Sequence, residues 1–399
     1  MLKKSAFFDF LNRRSNTSFE QFIAESVEDE HYISWNGFLL PLDYEDAEAE
    51  YHAIRNSCAI FDVSPLQKTR VRGAGAGTFF DHLLTRPASG LATMRAAYTM
   101  FCNEGGSIKD DAVLYKFADD DYLLMPSDID HSPYFETLCR EFDIHDVSFT
   151  GCTEAWAGLA IQGPLSAAVL LEMGFDGIEQ LVPFAVSDYE IGNFTLRVSR
   201  LGFTADLGYE CWFKPELADA LMRRIQSARS AMNIDIPGYG LSALQACRLE
   251  GGFVVAGWDF STELDPIPGF ERSPYDLGLG WLVDLDGAPF VGREALLEQK
   301  KNGHPYTLRS FEIDTEGVPE DGAVLLDGTG ENATQVGIIT CSNWSWGLNK
   351  VIGNASIQSE HARLGNAWVT IDGEYVEVKL SRGPLLTLER RNQLPAPVS

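Results

Sequence analysis

One stretch, Tyr98 to Tyr115, restricts what this chain can fold into more than any other: two apolar-rich runs flank Asn103-Glu104-Gly105-Gly106. The pattern predicts a β-hairpin whose glycines supply the positive φ that a tight connection needs. The returning strand opens on two adjacent carboxylates, Asp110 and Asp111. Side chains alternate across a strand, so the two acids face opposite sides and only one of them can look into a pocket. Taken alone, such a pair beside a turn reads as two solvated acids, because aspartate is seldom buried without a partner.

The rest of the chain predicts mixed α and β order with hairpins and no run of βαβ units, which is an α+β pattern. Arg13 to Ile23 reads as a loop leading into a short helix, and Glu45 to Asn56 as a helix. Strands are expected at Ala59–Val63, Lys68–Arg72, Asp120–Met125, Thr195–Ser199 and Tyr209–Phe213. Helices are expected at Thr78–Leu84, Ser132–Asp143, Leu165–Met173 and Pro215–Ala231. Gly73-Ala74-Gly75-Ala76-Gly77 lacks the full spacing of a dinucleotide loop and is read as a turn and helix entry. From Tyr306 onward, short strands punctuated by Gly and Asp, among them Leu308–Ile313, Val336–Cys341 and Trp368–Ile371, predict a small antiparallel barrel. The polar Glu298-Gln299-Lys300-Lys301-Asn302-Gly303 is the expected linker before it.

With 399 residues, 45% of them hydrophobic, the chain is long enough for two or three domains with their own cores. Its net charge of −27 excludes nucleic acid and anionic membrane surfaces as partners, since such ligands would be repelled throughout the approach. The acidic runs Glu45–Glu50 and Asp119–Asp121 read as solvated faces. No apolar run is long enough for a membrane span, and Met1 to Ser5 is followed by no signal-like stretch, so a cytoplasmic protein is expected. Seven scattered cysteines with no Cys-x-x-Cys pair imply reduced thiols and no metal site.

Several motifs follow the hairpin's theme: Phe61-Asp62-Val63-Ser64, Leu159-Ala160-Ile161-Gln162-Gly163-Pro164, and Arg200-Leu201-Gly202-Phe203-Thr204 with Gly208-Tyr209-Glu210. Beyond them stand Arg248-Leu249-Glu250, Leu277-Gly278-Leu279-Gly280-Trp281 and Phe290-Val291-Gly292-Arg293-Glu294. In this order and spacing the series resembles the glycine cleavage T-protein (aminomethyltransferase) family of tetrahydrofolate-dependent one-carbon transferases. The resemblance implies a multi-domain α+β folate-binding fold with a C-terminal antiparallel β-barrel. Residues 30–286 would form the aminomethyltransferase-type region as two interleaved α+β lobes, and residues 305–392 the barrel.

The same resemblance implies tetrahydrofolate as cofactor and assigns roles. Glu210 falls on the glutamate that grips the pterin, Tyr98 on the aromatic residue beside it, and Asp111 on the acid essential to catalysis. Phe203 and Arg248 join the cofactor-binding set, and Arg200, Arg248 and Arg272 are candidates to gather an anionic folate onto an acidic protein. A carboxylate meeting an amino-amide edge makes directional, charge-assisted hydrogen bonds, which is why a glutamate suits that station. On the substrate side, Trp35, Trp258 and Trp346, with Trp344 nearby, could hold a cationic group by cation–π attraction, and Arg272 could meet a carboxylate.

Departures from the family pattern turn the expectation toward a demethylase. Gly240-Leu241-Ser242-Ala243-Leu244-Gln245 places Leu244 where the family carries a folate-associated arginine. Phe203 replaces a pocket tyrosine, and Asp62-Val63-Ser64 runs on into Pro65-Leu66 instead of His-Met. Arg13-Arg14-Ser15-Asn16-Thr17 followed by Asn36-Gly37-Phe38-Leu39-Leu40-Pro41 is similar to the opening of the family's tetrahydrofolate-dependent demethylases, the dimethylsulfoniopropionate demethylases among them. The expected partner is then a small methylated substrate. The alternative is aminomethyl transfer from a lipoyl carrier protein. A non-catalytic folate-binding relative would carry a Lys-Gly-Cys-Tyr-x-Gly-Gln motif, which this chain lacks.

Overall fold

The computed structural model describes residues 2–11, 19, 32–192, 194–264 and 266–395. The helix expected between Arg13 and Ile23 lies outside the described residues. Two five-stranded antiparallel sheets and a closed six-stranded barrel make up most of the β-structure.

The first sheet runs Arg95–Cys102, Ile108–Ala118, Asp121–Pro126, Thr69–Arg72, Ser148–Gly151 in spatial order. The second runs Val186–Ile191, Phe194–Ser199, Gly208–Phe213, Ala157–Gln162, Ala59–Asp62. The inner face of each sheet contributes to one apolar cluster. Ala96, Tyr115, Leu123 and Met125 come from the first sheet, and Ala59, Phe61, Ala160 and Trp212 from the second. On the outside, Leu159, Ile161, Tyr209, Cys211 and Phe213 pack with the Ser166–Glu172 and Ala218–Met232 helices. Likewise Val71, Phe101, Ala112 and Leu114 pack with the Ala76–Leu83 and Ser132–Glu141 helices. The two sheets thus stand face to face, each backed by helices, and the strand period of two decides which side chains enter the space between them.

The hairpin forms as its pattern requires, with Tyr98 opposite Val113 and Met100 opposite Asp111. Only Gly106 has positive φ, +80°, so one glycine rather than both answers the conformational need. In the loop before the Ala76–Leu83 helix, a Cβ on Gly73 would lie 2.0 Å from the Asp146 carbonyl oxygen and one on Gly75 2.1 Å from that of His145. Close passage of the 145–146 backbone explains those glycines.

Two expectations change. Glu298–Asn302 is the last part of the Arg293–Asn302 helix and not a linker; these residues are good helix formers, and Gly303 at φ +92° ends the helix. The acidic runs are not merely solvated. Asp46 caps the Ala47–Asn56 helix, accepting from the Glu48 and Ala49 amides, while Glu50 is 4% exposed and accepts from the Tyr44, Glu45 and Gly240 amides. Asp121 is paired with Arg70 and Arg72 on the neighbouring strand.

The barrel closes as Tyr306–Ile313, Lys350–Gln358, Thr334–Ser345, Val324–Asp327, Asn366–Ile371, Glu374–Ser381 around Phe311, Ile339, Val351, Ala355 and Val378. The Leu241–Glu250 helix joins it to the sheets, because Leu249 packs with Cys341 and Ile352 of the barrel. No helix among the described residues is long and apolar enough to cross a membrane. All seven cysteines are free thiols.

Candidate active site between the two sheets

Alternation along Ile108–Ala118 separates the two acids of the hairpin. Asp110 lies on the face of Ala112 and Leu114, against the helices; it is fully buried. Asp111 lies on the face of Val113 and Tyr115, toward the second sheet. The Tyr98 hydroxyl donates to Asp111 Oδ2 at 2.7 Å. Burial first, and then the charge of Asp110, push the Asp111 carboxyl up to about 7. Burial first, and then the Asp111 and Asp110 carboxylates, push the Tyr98 phenol well above its usual range.

Across the gap, Gly208–Phe213 puts Glu210 and Trp212 on the inner face and Tyr209, Cys211 and Phe213 in the outer core. Glu210 is 7% exposed, and its carboxylate receives one side-chain hydrogen bond among the described residues, from the Tyr115 hydroxyl at 3.4 Å. Burial pushes its carboxyl up to about 7, against the pull of Tyr115 and of the Lys68 charge. Lys68, fully buried, donates to the carbonyls of Ser64 and Leu66 at 2.9 and 2.8 Å, with its ammonium 5.1 Å from the Trp212 ring centroid. Burial lowers it to about 8.

A buried carboxylate with one long hydrogen bond lacks donors, and the flat, doubly donating amino-amide edge of a pterin would supply them. The residues present therefore fit tetrahydrofolate: Glu210 would receive the ring donors, with Tyr115 and Trp212 beside it.

The remaining sequence candidates fall in three places. Trp35 and Trp346 join the inter-sheet cluster. The Trp35 indole donates to Asp128 at 2.5 Å, and Trp346 lies 5.4 Å from the Tyr51 ring. Arg248 is fully buried beneath the half-exposed Trp258, 5.2 Å from its ring. Its guanidinium pairs with Asp259 at 3.0 Å and also donates to the Phe253 carbonyl and Gln245. Phe203, exposed to 38%, sits 5.3 Å from Phe253 on the outer rim.

Arg272 and Arg200 are committed to the fold. Arg272 donates to Ser356 of the barrel and to the carbonyls of Gly269 and Glu271, and it covers the Tyr306 ring at 3.9 Å. Arg200 donates to the carbonyls of Leu181 and Gln393. Leu244 packs into the inter-sheet cluster, apolar against apolar.

Three neighbours of the site carry no local sequence signal. Asp259 accepts from Arg248, the Val255 amide, Thr340 and Asn354, and its charge reaches Asp111 and Tyr98. Lys68 and Asp128 are placed by long-range packing. Tyr115 stood within the informative hairpin, and its parity with Asp111 was the available clue.

The chain matches two family models: GCVT N-terminal domain over residues 28–287, and Glycine cleavage T-protein C-terminal barrel domain over residues 307–386. It is 30% identical over 349 residues to a protein of Lysinibacillus sphaericus named Aminomethyltransferase, covering 87% of this chain and 91% of that one. A Mycobacterium avium protein of the same name is 30% identical over 373 residues, covering 92% and 97%. The fold is similar to that of glycine cleavage system aminomethyltransferase T from Bartonella henselae, with a TM-score of 0.80 at 20% identity over 99% of this chain and 100% of the other. The face-to-face sheets, the closed barrel and matches spanning nearly the whole length agree: the chain belongs to the glycine cleavage T-protein family of tetrahydrofolate-dependent aminomethyltransferases.

Proposed function

We propose that this protein takes an aminomethyl group from the lipoyl arm of a carrier protein and delivers its carbon to tetrahydrofolate, releasing ammonia. One observation carries the reading: the Tyr98–Asp111 pair stands on the inner face of one sheet and the donor-poor Glu210 carboxylate on the inner face of the other, where Tyr115 of the Asp111 strand reaches it. Tetrahydrofolate supplies the nucleophilic nitrogen that accepts the one-carbon unit. Glu210 orients the pterin, and Tyr98 fixes the Asp111 carboxylate in place. Asp111, ionised, stabilises cationic character as carbon passes to nitrogen, a fixed charge in a site of low dielectric. It also accepts a proton, for which a pKa near neutrality is suited.

The expected free methylated donor gives way to a carrier-borne one. The relatives at 30% identity are named aminomethyltransferases, and of the tryptophans expected to form a cationic pocket Trp35 is bonded to Asp128, Trp346 packs on Tyr51 and Trp258 covers Arg248. A cytoplasmic location goes with this reading. The test incubates the purified protein and tetrahydrofolate with an aminomethyl-lipoyl carrier protein, and separately with methylated sulfonium and ammonium compounds. Ammonia and methylenetetrahydrofolate should form with the carrier alone. Methyltetrahydrofolate from a free donor, with no reaction on the carrier, would overturn the proposal.

A further inference from the structure

Behind Asp111, on the opposite face of its strand, lies a buried polar group that no step above uses. His131 Nε2 is 2.8 Å from Asp110 Oδ2, and the Ser127 hydroxyl donates to the same oxygen at 3.0 Å. The other oxygen, Oδ1, accepts the backbone N–H of Asp111 at 2.9 Å. His131 is 2% exposed, its ring edge-on to Phe101 at 4.9 Å and tilted against Phe135 at 5.9 Å. The contacts are continuous: imidazole, Asp110 carboxylate, Asp111 amide, Asp111 carboxylate, Tyr98 hydroxyl. A carboxylate in an aromatic layer needs a charged or well-bonded partner, and these aromatic neighbours hold the ring on Asp110.

We propose that His131 is a positioning residue for the transfer reaction, acting through Asp110 to set the orientation and charge state of Asp111. The proposal rests on Asp111 as the reacting acid. Asp111 is faced by Asp110 on its own strand, by Tyr98 on the neighbouring strand and by Asp259 beyond the Leu241–Glu250 helix. Asp110 is faced by His131, by Ser127 and by Asp128 in the segment after its partner strand. Lys109 is taken up by Glu263 and the Tyr134 ring. Among these groups the Asp110 charge opposes ionisation of Asp111, and His131 is the ionisable side chain in contact with Asp110 that can offset that charge.

The experiment follows the Asp111 carboxyl directly, by carbon NMR of protein labelled at the aspartate side chains, with Asp111→Asn assigning the signal. His131→Gln keeps a donor but can never carry charge. The Asp111 midpoint should rise by about half a pH unit or more, since the carboxylate behind it loses the partner that can offset its charge. Asp110→Asn keeps the size and one acceptor oxygen and removes the charge, so the midpoint should fall by about one unit. His131→Asn carries the first expectation if the glutamine variant does not fold. A purely structural histidine would leave the midpoint unmoved in folded variants, and that result overturns the proposal. The rate profile separates the two readings: an Asp111 midpoint that shifts while the acid limb of kcat/KM stays put upholds the relay and rejects Asp111 as the reacting acid.

Discussion

The Tyr98 hydroxyl holds Asp111 Oδ2 at 2.7 Å across the hairpin, so the acid that faces the second sheet is oriented before any ligand arrives. Fixed orientation is what allows a single charge to act in a transition state without reorganisation. Asp111→Asn keeps size and a hydrogen bond but loses the charge. Turnover should fall about 10²–10³-fold, as for loss of other fixed electrostatic groups, while tetrahydrofolate affinity changes little. Steady-state transfer assays beside calorimetry check this. In the parent, activity should rise with pH through about 7 as Asp111 ionises.

Glu210 carries a pH signature in stability. Burial raises its carboxyl from 4.5 to about 7, so folding favours the neutral acid. Its contribution is complete below about pH 4.5 and is lost as pH rises through about 7. Glu210→Gln should therefore match the parent at pH 4 and be more stable at pH 8, by up to about 3 kcal/mol. Urea melts at the two pH values measure the difference; a destabilised variant at pH 8 contradicts the assignment.

The same carboxylate should be needed for the ligand. Glu210→Ala should weaken tetrahydrofolate binding by about 2–4 kcal/mol, because two buried donors lose their acceptor. Titration calorimetry on the folded variant reads this, and unchanged affinity would remove Glu210 from the pterin site.

Asp259 ties the helix-borne Arg248 to barrel residues Thr340 and Asn354 at 3.0, 2.7 and 3.1 Å. Asp259→Ala leaves a fully buried guanidinium without its counter-charge, which should cost about 3–5 kcal/mol in urea denaturation. A loss under about 1 kcal/mol would mean water or relaxation compensates the charge.

Gly158 lies opposite Trp212, and a Cβ there would stand 2.2 Å from the ring. Gly158→Ala should destabilise by about 1–3 kcal/mol and weaken folate binding, since Trp212 shares the inner face with Glu210. Thermal melts and calorimetry check both parts.

The sequence by itself determined the elements and the pairing rules. Alternation placed Asp110 and Asp111 on opposite faces, because a strand's side chains have period two whatever surrounds them. The Asn-Glu-Gly-Gly turn set the hairpin, and short strands after Tyr306 marked the barrel, because turn chemistry and local hydrophobic pattern are written in adjacent residues. Local pattern also misread Glu298–Asn302, where polar composition looked like a linker but helix propensity prevailed. Only the tertiary structure decided that Asp111 faces the second sheet while Asp110 is buried with His131, since parity says that faces differ and not which one is covered. It alone brought Lys68, Asp128 and Asp259 to the site and spent Arg200 and Arg272 on carbonyls. A charge's surroundings depend on which distant strands and helices pack against it, and that information is spread over the whole chain rather than held in any motif.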